Sequence, residues 1–115
     1  MAVTVIWHNP RCSKSRRALT LLEEGGAAVT VRRYLDDQPS LAELEAAQAA
    51  LGLPAAEMIR PCEPRFKEMG LSLTDDDTIL LRAMAENPRL IERPVVFAGG
   101  RAVIARPPER VAELT

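Results

Sequence analysis

The 115-residue chain has little of what would place it in a specialised class. It has only two cysteines, Cys12 and Cys62, too few for the disulfide framework of a small secreted domain. Neither sign of charge dominates: 15 Lys and Arg face 16 Asp and Glu, a formal net charge of -1. A nucleic-acid binder would gather a basic surplus on one face, so no nucleic-acid partner is expected. No apolar run approaches the ~20 residues of a membrane-spanning helix, and no membrane association is expected. The apolar opening at residues 2–7 is too short for a signal-peptide core and has no basic segment before it. A cytoplasmic protein follows as the expectation. Internal repeats, low-complexity tracts and long linkers are also missing from the sequence. One domain over residues 1–115 is therefore expected, and the 47% apolar content is enough for a core without disulfide or metal staples.

What is present is an alternation of strand and helix signals. Residues 3–7 are an unbroken β-branched run that stops at His8-Asn9-Pro10, a turn signature. From Ser13 the spacing of Ala18, Leu19, Leu21 and Leu22 is helical, and Gly25-Gly26 closes that helix. Val29, Val31 and Arg33 alternate with Thr30 and Arg32 toward Tyr34 as a second strand, parallel to the first. A helical insert of about residues 40–87 follows. Ser40 and Glu43 form a capping box ahead of Leu41, Leu44, Ala47 and Leu51. Short helical pieces are expected at 55–59 and 64–69. Thr74 is read as the cap of a helix from about Asp75 to Glu86, with Ile79, Leu80, Ala83 and Met84 as its buried stripe. Residues 94–97 and 102–104 flank Gly99-Gly100 as a hairpin, and Pro107-Pro108 opens a final helix through Leu114. The order is βαβ, a helical insert, then ββα: an α/β chain with a mixed central sheet and a thioredoxin-like plan.

The segment His8-Asn9-Pro10-Arg11-Cys12-Ser13-Lys14-Ser15-Arg16 puts a cysteine between the end of a strand and the first turn of a helix. Free amides and the positive end of the helix dipole favour an anion there, so Cys12 is expected to ionise below the usual ~8.5 of a free thiol. Arg11, Lys14 and Arg16, and His8 if protonated, would add to that effect. Elsewhere a cytosolic cysteine is more often a small buried hydrophobe; polar and basic neighbours at a strand-to-helix turn reverse the preference for Cys12. His8 by itself reads equally well as a plain hydrogen-bonding histidine. Position 15 is Ser, so Cys12 has no CxxC partner, and its mixed disulfide needs an external thiol. Cys62 shows no sign of being that thiol. In thioredoxin-like folds a cis-proline precedes the third strand and faces the cysteine; Pro94 stands directly before such a strand, and an X-Pro bond is the chemically plausible cis candidate.

Four segments taken in order resemble the glutaredoxin-coupled arsenate reductase family over nearly the whole chain. They are His8-Asn9-Pro10-x-Cys12-x-x-Ser15-Arg16, Met58-Ile59-Arg60, Ile91-Glu92-Arg93-Pro94-Val95-Val96 and Arg106-Pro107-Pro108-Glu109. The resemblance implies a thioredoxin-like fold with a helical insert and a Cys12 thiolate that attacks arsenate. It implies His8 and Ser15 beside that thiol as catalytic residues, with Asn9, Arg16 and Pro94 in support. Arg60, Arg93 and Arg106 would hold the oxyanion, as guanidinium forks give directed, charge-assisted hydrogen bonds. Glutathione is the implied co-substrate and glutaredoxin the implied partner, with no bound cofactor and no metal. A monomer is expected. Two other readings stay open at this point: a glutathione-dependent thiol–disulfide oxidoreductase without arsenate specificity, and a regulator that binds RNA polymerase. Ser15 in place of a second cysteine speaks against the regulator.

Overall fold

The computed structural model describes residues 4–114; Val3, expected in the first strand, lies outside them. The chain divides into two compact units, Met1–Asp37 with Arg93–Thr115, and Gln38–Glu92. The expected insert falls within the second.

The first unit is a mixed four-stranded sheet in the order β2-β1-β3-β4. Its strands are β1 (Thr4–Trp7), β2 (Val29–Arg32), β3 (Val95–Ala98) and β4 (Arg101–Ile104). β2 runs parallel to β1, with Trp7 opposite Arg32, and β3 runs antiparallel, with Trp7 opposite Val95. β1 is therefore central, and its end delivers His8 and the following turn between β2 and β3. α1 (Ser13–Glu24) makes the crossover and buries Ser15, Ala18 and Leu22. Ala18 and Leu22 join Ile6, Val96, Val103, Ala105 and Val111 in the core of this unit. The β3–β4 hairpin turns through Gly99 and Gly100 at φ 57° and 77°. Two consecutive left-handed residues give a turn whose twist matches that of the strands, and glycine adopts it without a Cβ clash.

Trp7 packs its ring against Phe97, with centroids 4.9 Å apart, and the Arg32 guanidinium lies 5.8 Å from its centroid. The final segment, Pro108–Leu114, packs on α1 as a 3₁₀ helix instead of the expected α-helix. Two prolines at its start remove two N–H donors, and the Arg110 amide bonds back three residues to Pro107.

In the second unit α2 (Leu41–Leu51) carries the expected reciprocal capping box between Ser40 and Glu43 and ends at left-handed Gly52. It packs on α4 (Asp77–Glu86). α4 differs from expectation in two ways. It starts at Asp77, because Ser72 and Asp75 close a separate turn in which Thr74 bonds to Ser72 instead of capping the helix. With that start, Leu81 faces inward beside Leu80, Ala83 and Met84, while Ile79 is 48% exposed. α3 (Pro64–Glu68) and two short 3₁₀ turns, Ala55–Glu57 and Pro88–Leu90, complete the unit; the second turn carries no clear signal in the sequence.

Candidate functional site

The loop between β1 and α1 is tied together by Asn9. Its amide donates to Ser15 Oγ at 3.0 Å, its carbonyl accepts from the Cys12 amide at 3.0 Å, and its Oδ1 accepts from the Arg11 amide at 3.0 Å. Arg16 Nη1 donates to the Pro10 carbonyl at 2.8 Å. These bonds use the polar groups of Asn9 and Pro10 to fix where Cys12 enters the helix. Asn9 and Arg16, expected in support, hold the loop's backbone.

Cys12 occupies the N-cap position of α1 in an extended conformation and is partly exposed. Burial by itself would raise its pKa. The Ser15 amide, a hydrogen bond from Arg93, the Lys14 amide and the charge of Arg93 outweigh it, and the net direction is downward. The Ser15 and Lys14 amides belong to the first turn of α1, whose free N–H groups favour an anion. The cation that matters is thus Arg93, from the other end of the sequence, in place of the Arg11, Lys14 and Arg16 expected from local charge.

His8 is buried, and its Nδ1 shares a 2.7 Å hydrogen bond with Ser15 Oγ. Its pKa is lowered by burial first, then by the charges of Arg33 and Arg16. That direction favours the neutral imidazole, so His8 does not supply the positive charge it would add if protonated. The lowered pKa has a sign for stability. The unfolded chain takes up a proton near pH 6.5 before the folded one does, so this contribution is present above that pH and lost as pH falls through the folded value. Arg33 was not singled out in the sequence. The parallel β1–β2 register brings it to the site: the His8 amide donates to the Arg32 carbonyl at 2.8 Å, immediately before Arg33. Ser15, fully buried, braces His8 and Asn9 with its hydroxyl and points its amide at Cys12.

The Arg93-Pro94 peptide is cis, as is Arg106-Pro107. Pro94 is buried, and its carbonyl accepts from the Ala105 amide at 2.9 Å, extending the β3–β4 pairing. This pairing brings Arg106 to Arg93: Arg106 Nη1 lies 3.5 Å from the Arg93 carbonyl. Arg93 Nε and Nη1 are buried. Within one unit the fold thus gathers Cys12, His8, Ser15, Arg93 and Arg106. Arg60 belongs to the other unit, where its guanidinium meets Glu63 and Glu92. Cys62 is exposed in that same unit.

An ionised sulfur with a guanidinium against it attacks an electrophilic centre that carries negative charge better than a bare thiolate would, because the guanidinium neutralises the incoming anion. Alkylation of Cys12, followed by mass spectrometry of its own peptide, should show a pH inflection clearly below about 8.5. Arg93→Met should move that inflection upward. An inflection at the free-thiol position in the parent protein would remove the electrostatic argument.

Comparison with known proteins is consistent with this geometry. The ArsC family profile matches residues 7–114. An arsenate reductase of Neisseria meningitidis serogroup A is 50% identical over 108 residues, covering 92% of each chain. One from Rhizobium meliloti is 44% identical over 99% of this chain and 81% of its own. Among solved structures, an arsenate reductase from Vibrio cholerae superposes with a TM-score of 0.94 at 46% identity, over 99% of this chain and 98% of its own. No helix among the described residues is long and apolar enough to cross a membrane.

Proposed function

Because the chain belongs to the ArsC family, we propose that it reduces arsenate to arsenite through a covalent adduct on Cys12. The observation that carries the reading is Cys12 at the N-cap of α1 in the same unit as Arg93, which helps hold the thiol below its ordinary pKa, with Arg106 against the Arg93 carbonyl. A tetrahedral dianion and a thiolate repel each other. Guanidinium forks on the oxyanion remove that repulsion while leaving the central atom open to attack. Arg93 and Arg106 take this role, and the resemblance to the glutaredoxin-coupled arsenate reductases gives Arg60 as a further oxyanion ligand.

Cys12 sulfur attacks arsenic(V), an S–As bond forms, and one oxygen leaves as water after taking up protons. A glutathione thiolate then attacks the Cys12 sulfur. An S–S bond forms, the S–As electron pair stays on arsenic, and arsenic leaves as As(III). Two sulfurs have been oxidised and one arsenic reduced by two electrons. The Cys12–glutathione disulfide is cleared by glutaredoxin, an external thiol that Ser15 makes necessary by standing where a resolving cysteine would be. His8 and Ser15 keep the loop in register and hold the Ser15 amide toward the sulfur. No bound cofactor enters this cycle.

The test is a coupled assay with glutathione, glutathione reductase and glutaredoxin. NADPH consumption should depend on arsenate and stop when either glutathione or glutaredoxin is left out. Arsenate-independent turnover of a small disulfide, with no response to arsenate, would instead assign a general thiol oxidoreductase.

A further inference from the structure

Arg60 is held among carboxylates. Its Nη1 lies 3.0 Å from Glu63 Oε2, and its Nε lies 4.0 Å from Glu92 Oε1. The side chains are only 21%, 20% and 24% exposed for Arg60, Glu63 and Glu92, so solvent and salt screen these pairs weakly. The backbone sets up both contacts. Ile59 pairs with Ile91, the Arg60 amide donates to the Leu90 carbonyl at 2.7 Å, and the Glu92 amide donates to the Met58 carbonyl at 2.7 Å. This short ladder stands Arg60 beside Glu92. On the other side the Glu63 amide returns to the Arg60 carbonyl at 3.2 Å, closing a turn. Glu63 is the N-cap residue of α3, yet its side chain makes no capping bond and is turned to Arg60 instead.

We propose that Glu63, assisted by Glu92, is an internal counter-ion that an incoming oxyanion must displace from Arg60, and that it sets the affinity for the oxyanion and the ease of product release. The proposal rests on the reading of Arg60 as an oxyanion ligand. A largely buried guanidinium is costly without an anion. Glu63 supplies one in the ligand-free protein, so the charge of Arg60 is balanced and its side chain held in place between turnovers. A doubly charged arsenate carries enough charge to compete with a single carboxylate. Arsenite, uncharged near neutral pH, does not. Reduction therefore tips the exchange back: once arsenic loses its charge, the carboxylate recovers Arg60 and the product is released. Tight binding of the oxyanion is given up in return for turnover, since uniform binding of substrate adds nothing to kcat.

Glu63→Gln keeps the size and a hydrogen-bonding group but removes the competing charge. It should lower the KM for arsenate by roughly three- to tenfold, with kcat unchanged or reduced, and tighten competitive inhibition by inorganic phosphate in parallel. Glu92→Gln should act in the same direction with a smaller effect, and it supplies the test if the first variant does not fold. A purely structural role for Glu63 predicts the reverse, a raised KM from a misplaced Arg60. Unchanged or raised KM and phosphate Ki in both folded variants would overturn the counter-ion role. Arg60→Ala, measured alongside, separates the two layers. If it raises the arsenate KM while the glutamine variants do not lower it, Arg60 binds the oxyanion and only the counter-ion idea fails. If it leaves the KM unchanged, Arg60 is no oxyanion ligand and both fall.

Discussion

Cys12→Ser should eliminate arsenate reduction, with a fall of at least about 10³-fold in kcat. An alcohol at the N-terminus of α1 keeps the shape of the side chain, yet its proton is not released near neutral pH, and oxygen cannot form the disulfide on which the reductive half of the cycle depends. Cys62→Ser should retain most of the activity. Cys62 is exposed, and the proposed cycle takes its second sulfur from glutathione. The pair of variants is best compared in the coupled assay, with folding checked by circular dichroism. Loss of turnover in folded Cys62→Ser would mean that the resolving thiol is internal to the chain.

Arg93→Lys and Arg106→Lys should each lower kcat/KM for arsenate by roughly thirtyfold, about 2 kcal/mol of lost charge-assisted contact at the reacting anion. The charge is kept in both, so any loss measures the planar fork. Lysine presents a compact point charge that reaches one oxygen at a time. Arg93→Lys should also raise the Cys12 inflection in the alkylation profile, because Arg93 hydrogen-bonds the sulfur in addition to its charge acting on it. Arg106, whose guanidinium lies against the Arg93 carbonyl, should affect the anion more than the thiol. Reduction of a neutral disulfide by either variant should change much less. Unchanged arsenate kinetics in both would remove the oxyanion role of these two residues.

Much of this arrangement was legible before any coordinates, wherever the signal is local. The Ser40–Glu43 box, the Gly99-Gly100 turn and the placement of Cys12 at a helix start depend on residues within a few positions of one another. The start of α4 was less legible because Asp75, Asp76 and Asp77 are each able to begin a helix, and the choice was made by a Ser72–Asp75 turn that absorbs the first of them. That choice also moved Ile79 to the surface. The charge state of His8 was not legible at all. It follows from burial and from Arg33, which sits 25 positions away in sequence and arrives by strand pairing. Arg93 could be read as a functional residue from its motif, but its hydrogen bond to the Cys12 sulfur required the fold. The ion pairs of Arg60 had a partial signal: Glu63 follows it at a one-turn spacing, while Glu92 reaches it only through the Ile59–Ile91 pairing.

The chain has one tryptophan and one tyrosine, and that tryptophan is Trp7, one residue before His8 at the end of the central strand. Its indole packs near both the ring of Phe97 and the cation of Arg32, and it is almost fully shielded from water. The emission of an indole depends on the electric field across its long axis, and a fixed guanidinium is a strong local source of such a field. A movement of Arg32, or of the strand end that carries the loop to Cys12, would therefore change the colour of the protein's intrinsic fluorescence against almost no background. The scarcity of aromatic residues leaves this protein with a single indole as a built-in optical probe, placed where the chain turns toward its thiol.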